Sequence, residues 1–309
     1  MRDGPGASTY ATTAKQATLA DGPMRGRVCV VTGANRGLGK ATVTALARLG
    51  ATVVMLGRDA HLLGGARDDV ERTTGNVQVE TAVADLASFT SIKATADDIA
   101  TRHPAIHVLV HNAGVNPARR TLSTDGIELT IAVNHLGPFL LTHELLPALR
   151  QGAASGGARI VVVTSMFERF GRIAFDDLQG DRRWIGLVAY AQSKLANVLF
   201  TYELAARVAG FGITANCVDP GLVATDLMRD HALFRPRWLR SMWSRVLRSP
   251  ETGAQAALFA ASSPRVDGAN GVCFDRRGRV VRTSRRSRDR DARERLWKLS
   301  EQLTGVRFT

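Results

Sequence analysis

The sequence predicts an α/β fold: a single domain in which helices cover both faces of a doubly wound, parallel sheet. Three observations carry this. Apolar strand-like runs alternate regularly with helical stretches along the chain. The runs are nearly continuous in Val, Ile and Leu, which suits strands buried on both faces. At 309 residues with 45% hydrophobic composition, the chain can bury one large core, and no repeat of 20 to 50 residues divides it.

The first strand is read at RVCVVTG, residues 27–33, and leads through a turn bearing Gly33, Gly37 and Gly39 into the helix KATVTALARLG. A second strand, ATVVML, ends at GRDA; the third and fourth are VQVETAVAD and IHVLVHNAG. The helix FLLTHELLPALR separates these from the strand RIVVVTS, and SKLANVLFTYELAARVAG leads to the sixth strand, ITANCVDPG. Strands alternating with helices imply parallel pairing. In such sheets ligands bind beyond the carboxyl ends of the strands, first of all where the first strand turns into the first helix. Glycines there permit a tight turn and close backbone approach to a pyrophosphate, with a helix N-terminus supplying N–H donors. The spacing departs from G-x-G-x-x-G, and taken alone such a turn equally suits a strand end or a helix cap.

Residues 1–25 contain no central apolar run, and no stretch of about 18 apolar residues occurs elsewhere. The expectation is a cytoplasmic protein with a loose N-terminal tail. Cys29, Cys217 and Cys273 lie far apart without zinc-site spacing, so reduced core residues and no metal site are expected. Net charge is +13 with pI near 10.8, which raises nucleic acid, anionic membrane or a phosphorylated ligand as partners. Only five of the 41 basic residues are lysines, so a solvated arginine-rich surface is the plainer reading. Residues 276–295 hold ten arginines against three acids but no aromatic residue for base stacking. A solvated linker before a final helix is therefore expected over a nucleic-acid tail. Trp238, Leu239, Met242, Trp243, Val246 and Leu247 form one helical stripe within LFRPRWLRSMWSRVLRSP. It suits a substrate lid at about 222–250, an interfacial helix on anionic lipid, or simple packing on the domain.

Several motifs occur together in a fixed order: T-G-x-x-x-G-x-G at residues 32–39, H-N-A-G at 111–114, Asn134 in VNHLG, Ser165 after RIVVVT, Y-x-x-x-K at 190–194, and Pro220-Gly221. Over roughly residues 26–275 the chain resembles the short-chain dehydrogenase/reductase superfamily. VNHLGPFLLT, DLQGDRRW, SKLANVLF and RERLWKLSEQLTG resemble its retinol-dehydrogenase-like branch. The resemblance implies a Rossmann-like dinucleotide-binding catalytic domain, with residues 276–309 as basic linker and C-terminal helix. It implies a cofactor site of Gly33, Asn35, Arg36, Gly37, Leu38, Gly39, Arg58, Asp85, Leu86, Asn112, Ala113, Gly114, Tyr190, Lys194, Pro220, Gly221 and Thr225, with Asp85 at the adenine. It also implies catalysis by Asn134, Ser165, Tyr190 and Lys194.

The residues make chemical sense in themselves. Tyr190 and Lys194, four apart, share a helix face, and a nearby ammonium is expected to lower the phenol from its usual value of about 10. Tyr190 then serves as general acid or base. Ser165 would hydrogen-bond the reacting oxygen, and Asn134, by resemblance, would hold a water in a relay with Lys194. An acid after the second strand binds the ribose of NAD, whereas arginine accommodates the phosphate of NADP. Here Gly57 takes the acidic position and Arg58 follows, with Arg36 in the turn; Asp59 is the dissenting residue. Asp219 stands where the branch commonly has histidine, and Thr225 either contacts the cofactor or caps a helix.

The expectation is an NADP(H)-dependent oxidoreductase acting on the carbonyl or alcohol of an apolar small-molecule substrate, with no nucleic-acid partner. Peripheral membrane contact and a homo-oligomer both remain open. The alternatives are a non-catalytic nucleotide-binding sensor or scaffold, or a reductase working at a membrane surface.

Overall fold

A computed structural model of the protein describes residues 22–221, 223 and 248–308. Seven parallel strands form one sheet: β1 (Val28–Thr32), β2 (Thr52–Gly57), β3 (Val79–Val83), β4 (Val108–His111), β5 (Ala158–Val163), β6 (Ile213–Asp219) and β7 (Cys273–Asp275). Their order is β3-β2-β1-β4-β5-β6-β7, which is doubly wound about β1 and β4. The helices are α1 (Gly37–Arg48), α2 (Ala60–Thr74), α3 (Phe89–Arg102), α4 (Gly137–Ala154), α5 (Gly186–Val208), α6 (Pro250–Ser262) and α7 (Arg290–Thr304).

Two cores explain the unbroken apolar runs. Along β1, Val30 faces one core with α3, α4 and α5, while Cys29 and Val31 face the other with α1, α2 and α6. Both faces of the strand are thus buried, and a polar residue on either would lose its water without a partner. All three cysteines are free and buried, and burial pushes the Cys29 thiol up to about 12.

The seventh strand escapes periodicity because it is three residues long; Cys217 pairs with Cys273 and Asp219 with Asp275. Beyond it the basic segment keeps most of its arginines exposed, as expected of a solvated linker, but it also packs on the domain. It folds back, with an isolated bridge between Phe274 and Val280 and Val281 N–H donating to Cys273 O at 2.8 Å, and it buries Thr283 and Ser287. It then enters α7, whose Trp297 packs edge-on against Phe139 at 4.9 Å. Met24, inside the stretch expected as tail, is buried and donates its N–H to Leu49 O at 3.0 Å. The Trp238 to Leu247 stripe and most of the expected lid lie outside the described residues. Among the described residues no helix is long and apolar enough to cross a membrane.

Candidate active site

The turn after β1 shows why its glycines are needed. Gly33 has φ +65°, and a Cβ there would sit 2.9 Å from Ala113 Cα. A Cβ on Gly39 would lie 2.1 Å from Gly33 O and 2.5 Å from Asn112 Nδ2. Gly37 has φ +53°, but its Cβ would meet nothing within 4 Å. Two glycines thus answer to the protein's own backbone. The third opens space at the start of α1, where first-turn N–H groups have no partner within the helix and the dipole favours an anion. Asn35 is half-buried, Arg36 is exposed at the extended N-cap, and Leu38 packs into the second core.

Thr32 ties this turn to β4. Its hydroxyl donates to Val110 O at 3.3 Å and accepts from Asn112 N and Ala113 N, each at 3.0 Å. Asn112 Nδ2 returns hydrogen bonds to Thr32 O at 2.8 Å and Gly33 O at 3.2 Å. Asn112 therefore holds the turn's shape with its side-chain amide. Ala113 and Gly114 are half-buried beside it.

At the end of β2, Gly57 is buried, and a Cβ there would lie 3.3 Å from the Leu63 side chain. Arg58 is exposed. Asp59 is the N-cap of α2, its Oδ1 accepting from Leu62 N–H at 2.9 Å. After β3, Asp85 Oδ1 accepts from Ala87 N–H at 2.9 Å. Leu86 is buried in the first core, and its carbonyl would be 2.7 Å from any Cβ on Gly137.

Four side chains converge at the ends of β4 and β5. Ser165 precedes the 3₁₀ turn Met166–Phe170 and acts on Tyr190, pulling its phenol down, and α5 presents Tyr190 together with Lys194 one turn later. Lys194 Nζ donates to Val163 O at 3.1 Å and lies 5.6 Å from the Tyr190 ring centroid. Asn134 sits in a π-helical turn, Ala132–Leu136, a distortion frequent at functional sites. Its Oδ1 accepts from Val115 N–H at 2.7 Å, and its Nδ2 donates to Val115 O at 3.0 Å and Ser193 Oγ at 2.9 Å. A Cβ on Gly114 would stand 3.5 Å from Asn134 Oδ1 and 3.6 Å from Lys194 Nζ, so both face one point beside that glycine. The stretch DLQGDRRW braces the π turn. Trp184 Nε1 donates to Glu128 Oε1 at 3.0 Å and Gln179 Oε1 accepts from Glu128 N–H at 3.0 Å, while Glu128 Oε2 caps Ile131 N–H at 2.9 Å.

The electrostatics correct one expectation. Burial pushes the Tyr190 phenol above its ordinary value; the Ser165 hydrogen bond pulls the other way and the Asp219 charge adds to the rise. Lys194 does not offset this rise, and burial pulls its own ammonium down to about 8, opposed by Asp219. Asp219, read from the sequence as a departure from the branch, acts on both Tyr190 and Lys194, a role that reading did not foresee. It ends β6, accepts from Gly221 N–H at 2.9 Å, and is raised by burial against that hydrogen bond and the charges of Arg169 and Lys194. Its acidic side chain beside a proline was the available signal. Pro220 is buried and Gly221 exposed at φ +75°. Thr225 lies outside the described residues.

The sequence matches the family model described as short chain dehydrogenase over residues 27–234. It is 41% identical to human retinol dehydrogenase 11 over 281 residues, covering 91% of this chain and 86% of that one. Over 292 residues it is 41% identical to bovine dehydrogenase/reductase SDR family member 13, covering 92% and 74%. Among solved structures, an uncharacterized protein of Mycobacterium paratuberculosis superposes with a TM-score of 0.75 at 37% identity, covering 95% of this chain and 99% of that one. An NAD(P)-dependent gluconate 5-dehydrogenase from Beutenbergia cavernae, solved with NADP at low occupancy, gives 0.65 at 28% identity, covering 82% and 96%.

Proposed function

Because the chain belongs to the short-chain dehydrogenase family and is retinol-dehydrogenase-like, we propose that it is an NADP(H)-dependent oxidoreductase acting on a carbonyl or alcohol of an apolar substrate. The single observation that carries the reading is the convergence of Ser165 and Lys194 on Tyr190 at the carboxyl end of the sheet. Residues 26–275 form the catalytic unit in this reading.

The open space beside Gly37, at the start of α1, fits a dinucleotide's pyrophosphate, since no side chain fills it. A bound nicotinamide supplies or takes the hydride. Tyr190 handles the proton: its phenol, protonated at neutral pH, can give a proton to a carbonyl oxygen or, once ionised, take one from an alcohol. Ser165 hydrogen-bonds the same oxygen, and Lys194 and Asn134 extend the proton path behind Tyr190. The oxygen the substrate presents thus meets two donors as it gains charge.

The preference for NADP(H) is supported at the end of β2. Asp59, the one acid placed to bind a ribose 2′-hydroxyl, spends Oδ1 on capping α2, whereas Arg58 is exposed and Arg36 stands at the turn. The Beutenbergia relative was solved with NADP. Retinol dehydrogenases among the relatives support CH–OH/C=O chemistry on an apolar substrate. So do the exposed Met166 and Phe170 next to Ser165, and Leu187 and Val188 next to Tyr190. The test is NADPH and NADH oxidation by the purified protein against ketones, aldehydes and retinoids. NADPH should give the higher kcat/KM, by about tenfold or more from charge-assisted contacts, and Arg36→Ala with Arg58→Ala should narrow the gap. Equal use of NADH by the unmutated protein overturns the cofactor choice, and no turnover with any carbonyl favours a sensor.

A further inference from the structure

We propose that the basic segment after β7 is a brace on the Ser165 turn, and that Glu168 is the positioning residue through which it acts. The inference rests on the reading of Ser165 and Tyr190 as the reacting pair.

The turn Met166–Phe170 has two backbone hydrogen bonds of its own, from Glu168 N–H to Ser165 O at 3.0 Å and from Gly171 N–H to Glu168 O at 3.1 Å, but its local side-chain cap is long, the Ser165 hydroxyl reaching Phe167 N–H only at 3.4 Å. Its side-chain ties come from far along the chain. Glu168 is buried, and its Oε1 accepts from Ser284 N–H at 2.9 Å across 116 residues. Arg169 Nη2 donates to Arg282 O at 2.9 Å, and Arg286 Nη1 donates to Gly171 O at 2.9 Å. Residues 168, 169 and 171 are thus stitched to 284, 282 and 286.

The brace is itself anchored on the other side. Thr283 Oγ1 is hydrogen-bonded to Tyr202 of α5 at 2.9 Å and accepts from Ser287 Oγ at 2.8 Å. Tyr190 and Tyr202 share that helix, so the brace references the Ser165 turn to the element that carries the proton donor. Phe167 closes the circuit: its ring lies edge-on to the Tyr190 ring, 5.7 Å between centroids. Displacing the turn moves Ser165 and Phe167 together relative to Tyr190.

Glu168 is suited to the task and costly otherwise. A carboxylate accepting a backbone N–H makes a charge-assisted bond stronger than a neutral one. Yet its Oε2 is buried without a partner, a burden that packing alone would not require.

The test measures kcat, KM for the carbonyl and NADPH affinity in Glu168→Ala, Glu168→Gln and Arg286→Ala, with Ser165→Ala as reference. A misplaced reacting pair should lower kcat about tenfold or more in Glu168→Ala, with NADPH affinity held within about twofold. Glu168→Gln, whose amide oxygen still accepts from Ser284, should restore most of kcat. Arg286→Ala should show a smaller loss of the same kind, and it carries the test if Glu168→Ala does not fold. Unchanged kcat in the folded variants, or NADPH affinity falling in step with kcat, overturns the brace. If Ser165→Ala keeps its turnover, the underlying assignment of Ser165 has failed instead.

Discussion

The turn after β1 and the turn after β5 both close the carboxyl end of the same sheet, yet they are held in opposite ways. The first is fixed by backbone conformation and close approach: glycines at +65° and +53°, a third against a carbonyl, and one threonine hydroxyl bridging to β4. The second carries Ser165 on a five-residue 3₁₀ turn that is tied by hydrogen bonds to residues more than a hundred positions later. A site made from backbone shape must be written in residue types that alone permit the shape. One made from distant side chain to backbone bonds leaves no local mark, since any chain brought to that place offers the same N–H and C=O.

The contrast can be broken most strongly at the first turn. Gly39→Ala drives a Cβ into Gly33 O, which only backbone movement relieves. It should cost about 3 kcal/mol, the upper range of overpacking penalties, read as a fall in the denaturation midpoint together with lost NADPH binding. Gly37→Ala sharpens the point. It meets no atom, so it should cost only about 1 kcal/mol for the left-handed backbone, while NADPH affinity falls steeply because the methyl enters the open space. Equal stability losses in the two variants would contradict the division of labour among these glycines.

The smaller effect lies at the second site. Burial pulls the Lys194 ammonium down to about 8 against an upward pull from Asp219. If the protonated ammonium supports turnover, the reductive rate falls as pH rises through about 8. Asp219→Asn keeps an acceptor for Gly221 N–H but removes the charge, so Lys194 should lose its proton at lower pH. The alkaline limb of kcat should then move acidward, by roughly one unit or less. A limb that stays in place, measured from pH 6 to 10, would separate Asp219 from the site.

Much of the fold was legible because burial on two faces leaves a sequence trace. The six longer strands appear as Val, Ile and Leu runs, and β7 is lost because three residues carry no period. Tyr190 and Lys194 were legible through helical spacing, and Ser165 and Asn134 only through the order of motifs. Three things were not. The rise of Tyr190 depends on burial, which the four-residue spacing to Lys194 does not report. The use of Asn112 on the glycine turn depends on β4 lying beside β1. The packing of the arginine-rich segment against Gly171 and Tyr202 runs through Thr283, Ser284 and one guanidinium, while its composition reads as solvated.

The central claim, that Tyr190 is the proton donor of an NADP(H)-dependent carbonyl reductase, is tested most directly by single-turnover NADPH oxidation with Tyr190→Phe beside the unmutated protein. The variant loses one hydroxyl and keeps the ring against Phe167. The account predicts turnover reduced by at least about a hundredfold, the usual worth of a positioned proton donor, with NADPH binding within about twofold. Turnover within a few-fold of the unmutated protein would contradict it.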